Sequence, residues 1–391
     1  MSLKLSFGAP VIVAQGPTYH DAGWGPYQFP KLANLGNGMI AIRYHIVQDE
    51  SEAYGQEGGW ATSNDGGAHW QAVEPANLPA VKARFGTKLA SGKYLRSIQP
   101  APYKISPELH KELSRKMNYY QRSLGVEEIP DGLFEKDKWL FAISEPDSLE
   151  ERLFYSDLDF PGMTLSLTTG AIIRPFPFGP MYTAPDGSLW IAHYWRGRNP
   201  ENLGHTSYYA CYYFQSLDEG KSFHLKSWIQ YLPDTYAFPR AFTTEGFCEP
   251  DLCFMPDGSM ITLMRTGGDT PCYLARSTDG GQHWETPVLF DRCGVLPQLL
   301  HLPCGVTLAS YGRPGLFVRA SADPSGMQWE DPYTLMPYDP ARATQVSCCY
   351  TSLLPLDDRT ALLAYTDFAV PDAAGIPRKS IMVRTIHVDR S

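Results

Sequence analysis

A basic surplus is missing from this sequence, and so is any long apolar run. Its 391 residues carry 33 Lys and Arg against 42 Asp and Glu, a formal net charge of −9 at pH 7. Proteins that bind nucleic acid or anionic membranes need a basic surface, so this balance argues against both partners. No stretch approaches the roughly 18 consecutive apolar residues of a membrane-spanning helix. Only 19% of the residues are charged and 43% are hydrophobic, which is typical of a packed globular protein.

Motifs for metal, nucleotide and redox chemistry are missing as well. None of the 8 cysteines forms a CxxC pair or a Cys/His cluster with zinc spacing. No phosphate-binding loop or dinucleotide fingerprint is present, so the sequence predicts neither a metal site nor a cofactor. The first residues show no basic region followed by an apolar core and a cleavage site. We therefore expect a cytoplasmic protein, or a periplasmic or secreted one whose export signal has been removed.

A short motif, Ser-x-Asp-x-Gly-x-x-aromatic, recurs along the chain. Its copies begin at Ser63, Ser216 and Ser277, and a copy with one extra residue begins at Ser321. Ser and Asp can bond to nearby backbone amides, Gly supplies positive φ, and the aromatic residue can anchor the turn on a sheet. The motif lacks the alternating acidic ligands of a calcium loop. It therefore predicts tight hairpin turns.

A second pattern places a turn between two apolar, strand-like runs, and it occurs six times. The turns begin at Leu35, Leu89, Ala184, Met255, Leu302 and Leu356. Successive turns lie about 50 residues apart where they are closest, near the length of a β-propeller blade. We predict an all-β chain that forms a single six-bladed β-propeller domain over residues 1–391.

The wide gap after the second turn predicts an insertion in blade two, over about residues 101–160. It contains a segment with helical character from Ser106 to about Ser123, where Ser106 is an N-cap and Pro107 occupies the first helical position. The N-terminal run from Leu3 to Val13 is expected to pair with the last blade and close the ring.

The meander of a blade sorts residues by face. Both kinds of turn lie on one face, so the opposite face collects the starts of the first strands and the ends of the second strands. That ring contains Gln28, Lys31, Arg43, His45, Tyr182, His193, Tyr194, Trp195, Arg196, Glu249, Arg265, Gln298, Arg313, Tyr350 and Asp367. Arginines, carboxylates, tyrosines and histidines around a central channel predict a small-molecule site, and two arginines suit an anionic group.

Three stretches resemble the sialidase (exo-α-neuraminidase) superfamily of six-bladed propellers with Asp-box (BNR) repeats. Glu249-Pro250-Asp251-Leu252 leads through Asp257-Gly258 to Arg265, as a blade-four Glu leads to an Arg in that family. The stretch from Arg313 to Ser321 looks like a later family Arg that precedes an Asp box. The stretch Tyr350-Thr351-Ser352-Leu353 is similar to the one that carries the family's nucleophile.

The resemblance implies a retaining exo-glycosidase that releases a terminal acidic or modified sugar from a carbohydrate. Tyr350 would be the nucleophile and Glu249 would take its proton, an arrangement that departs from the usual pair of carboxylates. Asp49 is our choice for the acid/base residue, with Glu50, Glu52 and Glu57 as rivals. Arg265 and Arg313 would bind the substrate.

Blade one departs from the family pattern. Where the family has Arg-Ile-Pro, this chain has Gln28-Phe29-Pro30, and Gln carries no charge for a substrate carboxylate. Lys31, Arg43 or another cation would have to compensate. His193 and Tyr194 complete the candidate substrate-binding residues.

Two other functions stay open at this point. One is a propeller polysaccharide lyase, or a glycosidase acting on uronate-type glycans. In it, residues such as His45, His193, Tyr194 and Arg196 would move protons and neutralise charge. The other is a non-catalytic glycan-binding propeller, in which Trp24, Tyr194 and Trp195 would form a platform on which sugars stack.

Overall fold

Strands dominate the part of the chain, residues 3–117 and 123–390, that the computed structural model describes. Most of them form six groups of consecutive antiparallel strands, numbered here in chain order. Group 1 comprises Gln28–Gly36, Met39–His45, Gly59–Ser63 and Gln71–Ala72. Group 2 comprises Thr87–Lys88, Tyr94–Ser97, Lys138–Ser144 and Arg152–Asp159. Group 3 comprises Met181–Thr183, Leu189–Trp195, Ala210–Ser216 and Ser222–Ile229.

The second half of the chain repeats this plan. Group 4 comprises Cys248–Phe254, Met260–Arg265, Cys272–Ser277 and Val288–Asp291, and group 5 comprises Val295–Leu302, Val306–Gly312, Leu316–Ser321 and Tyr333–Met336. Group 6 comprises Ser352–Pro355, Thr360–Pro371 and Pro377–Arg390. Groups 2 and 3 join into one eight-stranded sheet, because their outer strands pair in parallel through Asp157–Asp159 and Ser222–His224.

Two N-terminal strands complete group 6. Leu3–Phe7 pairs with residues 386–390, and Val11–Gln15 pairs with residues 380–383 of the same last strand. The predicted pairing of the N-terminal run with the last group of strands is therefore confirmed.

The groups contact one another in a circle. The first strands of groups 4, 5, 6 and 1 touch in turn, Leu189–Trp195 of group 3 touches group 4, and Thr87–Lys88 of group 2 touches Met181–Thr183. The helix Leu78–Arg84 bridges groups 1 and 2. Each space between neighbours is filled by buried apolar side chains, such as Leu308 and Leu363 between groups 5 and 6. The core is thus a set of interlayer clusters.

The recurrent Ser-x-Asp turns are held by side-chain bonds to their own backbone. Ser63 Oγ accepts from the Gly67 amide at 3.0 Å, and Asp65 Oδ1 accepts from the His69 amide at 2.9 Å. The Trp70 indole donates to the Gly67 carbonyl at 3.0 Å. These contacts fix a tight turn, the role that the sequence predicted for the motif. Among the described residues, no cluster of three or more His, Cys, Asp or Glu side chains could hold a metal ion.

The added unit in the first half differs in its bounds from the predicted insertion. It is a small sheet of Tyr103–Lys104, Ser123–Gly125, Thr164–Thr168 and Ala171–Ile172. Lys138–Ser144 and Arg152–Asp159 interrupt it and pair within group 2. Residues 101–160 therefore do not form one separate piece, because the long-range pairing of these two strands returns the chain to group 2.

The helices are short. They span Tyr19–Ala22, Leu78–Arg84, Pro107–Lys116 and Ala343–Val346, with 3-10 turns at Ser51–Ala53, Pro75–Asn77, Val126–Glu128, Ala241–Thr243 and Pro340–Arg342. Ser106 caps the third helix by accepting from the Leu109 amide at 3.2 Å, as predicted. This helix ends at Lys116, and residues 118–122 of the predicted helical segment lie outside the described residues. No helix of residues 3–117 and 123–390 has the length and apolarity to cross a membrane.

Candidate active site

A repeated bulge at the start of the first strands positions the candidate residues. In groups 1, 4 and 5 the strand pairing skips two residues, which are Phe29-Pro30, Glu249-Pro250 and Leu296-Pro297. The residue before each proline has a positive φ, at 56°, 47° and 36° respectively. Positive φ is uncommon outside glycine and concentrates at functional sites. The recurring X-Pro step is a sequence signal that turn and strand patterns alone did not reveal.

The segment before group 6 contains another residue with positive φ, Cys349 at 58°, directly before Tyr350. This segment and the bulge of group 4 bring together two residues that lie 101 positions apart: the Tyr350 hydroxyl donates to Glu249 Oε1. The Leu296 amide, from the bulge of group 5, donates to Glu249 Oε2 at 2.8 Å. Both carboxylate oxygens of Glu249 are thus held, and the residue is only 7% exposed.

Arg265 completes a buried cluster with this pair. Its Nη1 donates to Glu249 Oε1 and, at 3.3 Å, to the Tyr350 hydroxyl. Burial acts to lower the pKa of Arg265, but the charge of Glu249, together with smaller contributions from Cys248, Tyr350 and Glu245, outweighs it and the net pKa is raised. Arg265 is therefore a permanent cation beside the carboxylate and the phenol.

Tyr350 is protonated at rest. Burial, and then the neighbouring charge of Glu249, raise its pKa well above the ordinary value, although Arg265 and Arg313 act in the opposite direction. Its phenolic proton points to Glu249. A neutral phenol that donates its proton in a hydrogen bond to a carboxylate becomes a nucleophile when that carboxylate takes the proton during the reaction.

Arg313, Trp24 and Asp49 form the next part of the site. The Arg313 guanidinium carbon lies 4.9 Å from the centre of the Trp24 ring and 5.3 Å from that of Tyr350. Its Nη2 donates to the Cys348 carbonyl at 2.7 Å. The Trp24 indole N–H donates to Asp49 Oδ2 at 2.9 Å. One aromatic side chain thus connects the candidate acid/base residue with the arginine beside the candidate nucleophile.

The acid/base candidates differ in their surroundings. Asp49 is exposed and lines a small cavity of about 20 Å³ together with Glu50, His45 and Tyr54. Glu57 also borders this cavity, but its carboxylate accepts from Lys82 and from the Trp60 indole.

The remaining candidate, Glu52, accepts from the hydroxyls of Ser51 and Thr168. Asp49 is the member of the set that is tied to Trp24, and so to the neighbourhood of Tyr350. This connection favours it over its rivals.

Gln28 is placed differently from a substrate ligand. It is fully buried, and its Oε1 accepts from the Gly25 amide at 3.1 Å, while Nε2 has no partner. Gly25 has a φ of 113°, and a Cβ there would lie 2.3 Å from the Asp49 backbone nitrogen. Gln28 therefore supports a loop that only glycine allows to pack against Asp49, and that loop carries Trp24.

Lys31 and Arg43 stand opposite each other on the two strands of group 1. Lys31 is exposed to solvent, yet the surrounding protein partly desolvates its ammonium group and so lowers its pKa. Repulsion from Arg43 and Arg96 lowers this pKa further. The charge of Asp251 acts in the opposite direction. Arg43 borders the cavity beside Asp49. Neither residue joins the cluster around Tyr350 through a hydrogen bond among the described residues.

Tyr194 and His193 lie on opposite sides of their strand. Tyr194 faces the site: burial and then the charges of Glu249 and Tyr350 raise its pKa. The His193 ring instead packs among Phe178, Trp195 and Trp139, and its Nδ1 accepts from the Phe178 amide at 3.1 Å. Burial lowers the pKa of His193 to about 3, so it is a neutral core residue and is not brought to the site.

Two carboxylates near the site escaped sequence reasoning. Glu245 precedes Glu249 by four residues, and its Oε2 lies 3.4 Å from Arg265 Nη2. Asp251 is buried, and burial raises its pKa to about 7 although it accepts from the Tyr182 hydroxyl and the Leu299 amide. The spacing of Glu245 from Glu249 is the only sequence signal for the first, and nothing local distinguishes the second.

Known proteins resemble this chain in structure. No protein-family profile and no curated protein matches the sequence. A protein of unknown function from Dyadobacter fermentans has a similar structure, with a TM-score of 0.66 and 16% identity over 98% of this chain and 99% of that one. The Hadza microbial sialidase Hz136 matches with a TM-score of 0.55 and 14% identity, over 93% of this chain and 65% of the sialidase.

A third structure, of Penicillium chrysogenum α-L-arabinanase complexed with arabinobiose, matches with a TM-score of 0.52 and 12% identity over 97% of this chain and 98% of that one. At such identities the likeness shows the fold alone. The chain has a sialidase-like propeller fold, and its structural neighbours include glycoside hydrolases.

Proposed function

We propose that the six strand groups are the blades of a six-bladed propeller and that the protein is a retaining exo-glycoside hydrolase. The observation that carries this proposal is the cluster of Tyr350, Glu249 and Arg265, which brings the segment before group 6 against the first two strands of group 4. A buried phenol that donates to a carboxylate, beside a fixed cation, is a nucleophile with its own base. The bulges of groups 1, 4 and 5, each with a residue of positive φ, converge on this cluster: the Phe29 ring lies 4.8 Å from that of Tyr350, and the Leu296 amide donates to Glu249.

In the first half-reaction, Tyr350 Oη forms a bond to the anomeric carbon while its proton passes to Glu249 Oε1. Asp49 donates a proton to the leaving glycosidic oxygen, and the bond from the anomeric carbon to that oxygen breaks. In the second half, Asp49 takes a proton from water and the water oxygen attacks the anomeric carbon. The bond to Tyr350 breaks, and Glu249 returns the proton to the phenolate.

The surroundings supply the other contributions. Arg265 Nη1, at 3.3 Å from the phenolic oxygen, stabilises the negative charge that develops there as the proton leaves. Trp24 holds Asp49, and Tyr194 borders the pair of Tyr350 and Glu249. The sequence predicts a terminal acidic or modified sugar in this site.

The neighbours' names support a hydrolase, since two are called sialidases and one an arabinanase. The lyase alternative loses one of its candidates, because the His193 ring is enclosed in the aromatic core. The binding-module alternative does not account for the buried hydrogen bond from the Tyr350 hydroxyl to Glu249.

The test is turnover of a panel of aryl glycosides by the wild type, Tyr350→Phe and the control Tyr236→Phe. Tyr236 is fully exposed, so its hydroxyl is dispensable to the fold. We expect Tyr350→Phe to lose at least about 1,000-fold in kcat, because the nucleophile is gone, with a melting temperature close to that of wild type. A Tyr350→Phe variant that keeps full activity on a cleaved glycoside would refute the proposed mechanism.

A further inference from the structure

Glu245 places a carboxylate beside Arg265, where a site for an acidic substrate would need an arginine with free donors. Its side chain is 48% exposed, at the rim, and its Oε2 lies 3.4 Å from Arg265 Nη2. Its backbone is fixed on both sides, since its amide donates to the Thr266 carbonyl and its carbonyl accepts from the Tyr209 amide, each at 2.9 Å. The carboxylate therefore starts from a defined position next to Arg265.

Every nitrogen of the Arg265 guanidinium already has a partner. Nε donates to the Gly267 carbonyl at 3.1 Å, Nη1 to Glu249 and Tyr350, and Nη2 to Glu245. A guanidinium binds an anionic group strongly when it offers a free pair of parallel donors. Arg265 offers none, because carboxylates of the protein occupy it.

The second arginine near Tyr350 is only partly committed. Arg313 gives Nη2 to the Cys348 carbonyl and lies near the rings of Trp24 and Tyr350, its Nε is buried without a partner, and its Nη1 makes no hydrogen bond to a described residue. Gln28 stands where a third cation would be needed, and it is uncharged and buried beneath the Trp24 loop. The donors that remain on Arg313 suit a sugar hydroxyl, and a sugar carboxylate bound there would find no free donor pair on Arg265.

Carboxylates accompany the cations of the site. Arg265 contacts Glu249 and Glu245, and Asp49 accepts from the Trp24 indole that packs against Arg313. An added carboxylate would meet Glu245 at the same side of Arg265, and like charges in close contact are costly.

We propose that the terminal sugar released by this enzyme is uncharged, and that Glu245 is a specificity-determining residue that excludes sugars bearing a carboxylate. This inference rests on the proposed glycosidase function and narrows its substrate to sugars whose ring carries hydroxyl groups only or uncharged substituents. The arginines then hold Glu249 and Tyr350 in place instead of binding an acidic substrate.

The experiment compares wild type, Glu245→Gln and the control Glu285→Gln, which removes an exposed carboxylate beside the last residue of a Ser-x-Asp turn. Substrates are 4-methylumbelliferyl glycosides of neutral pentoses and hexoses in both anomeric forms, together with the sialoside and the glucuronide. We expect the wild type to cleave a neutral glycoside and to show at least about 100-fold lower kcat/KM on both acidic ones. Glu245→Gln should raise kcat/KM for an acidic glycoside about tenfold relative to the neutral one, and Glu285→Gln should leave the ratio unchanged.

A binding measurement tests the inference without turnover. Titration of the carboxylated sugar analogue 2,3-didehydro-2-deoxy-N-acetylneuraminic acid, followed by calorimetry, should show no binding to wild type below about 1 mM and about tenfold tighter binding to Glu245→Gln. Binding to wild type at micromolar concentration would overturn the inference.

The two proposals fail in different ways. Cleavage of the sialoside or glucuronide by wild type, lost in Tyr350→Phe, would refute the uncharged substrate and leave the hydrolase intact. Silence of the whole panel would refute the hydrolase, and the analogue titration would then decide the charge preference by itself.

Discussion

Replacing Lys379 with Met should make the pH dependence of stability flatter between pH 8 and 10.5. Lys379 is fully buried, its Nζ donates to the Gly23 carbonyl at 2.7 Å, and it lies 4.8 Å from the centre of the Phe368 ring. Burial lowers its pKa from 10.5 to about 8, against a small opposing contribution from Cys348. The unfolded chain therefore binds this proton more tightly than the folded chain does.

The sign and size follow from linkage. Between pH 8 and 10.5 the unfolded state carries more protons at this position, so the free energy of unfolding of wild type rises with pH in this interval. At about 1.4 kcal/mol for each tenfold change in proton affinity, the rise attributable to Lys379 is about 3 kcal/mol. Below pH 8 the effect is constant, because Lys379 is protonated in both states.

The assay is urea unfolding at several pH values from 7 to 10.5 for wild type, Lys379→Met and the control Lys111→Met, whose lysine is exposed on a helix. The free energy of wild type minus that of Lys379→Met should rise by about 3 kcal/mol over this range, whereas Lys111→Met should run parallel to wild type. A difference that stays flat, or that falls as the pH rises, would refute the assignment of a buried lysine with a lowered pKa.

Two further predictions concern the site. Trp24→Phe keeps a ring beside Arg313 but deletes the donor to Asp49, so kcat/KM should fall about tenfold for glycosides with poor leaving groups and less for activated aryl glycosides. Equal losses for both would argue against Asp49 as the acid. Asp251 has a folded-state pKa raised by burial from 3.8 to about 7. Its contribution to stability is therefore lost as the pH rises from 4 to 7, and wild type should fall relative to Asp251→Asn by up to about 4 kcal/mol in denaturant titrations at pH 4 and pH 8. A gap between wild type and Asn that does not depend on pH would contradict this.

Local sequence patterns were sufficient for the strands and turns. The Ser-x-Asp motif predicts its turns because the side-chain bonds involved lie within five residues of one another. The pairing of the N-terminal run with the last strand, confirmed by the structure, follows from the need to cover an open sheet edge. These features depend on short-range chemistry or on a general rule of sheets.

The bounds of the insertion could not be predicted from local sequence, because they depend on long-range strand pairing. Lys138–Ser144 pairs with Tyr94–Ser97 in group 2, although helical and irregular segments separate them in sequence. No local pattern states which sheet a strand joins, so residues 101–160 were predicted as one piece.

In the candidate site, too, local sequence predicts some features, and others depend on how distant parts of the chain pack. Adjacent residues of a strand point to opposite faces, so Tyr194 and His193 could not both face one cavity, and the sequence did not decide between them. Gln28 was predicted from its position at a strand start, but burial under the Trp24 loop depends on how that loop folds. Glu245 was missed because its contact with Arg265 depends on the loop that precedes Cys248–Phe254.

The central claim is that Tyr350 forms the covalent bond to the sugar, and trapping that bond tests it most directly. Wild type would be incubated with a 2-fluoro or 3-fluoro glycosyl fluoride of the sugar that the panel identifies, digested, and analysed by mass spectrometry. The account predicts a glycosyl group on the peptide that contains Tyr350, and none in Tyr350→Phe. A glycosyl group on Glu249 instead, or a cleaved sugar with inverted configuration at the anomeric carbon, would contradict it.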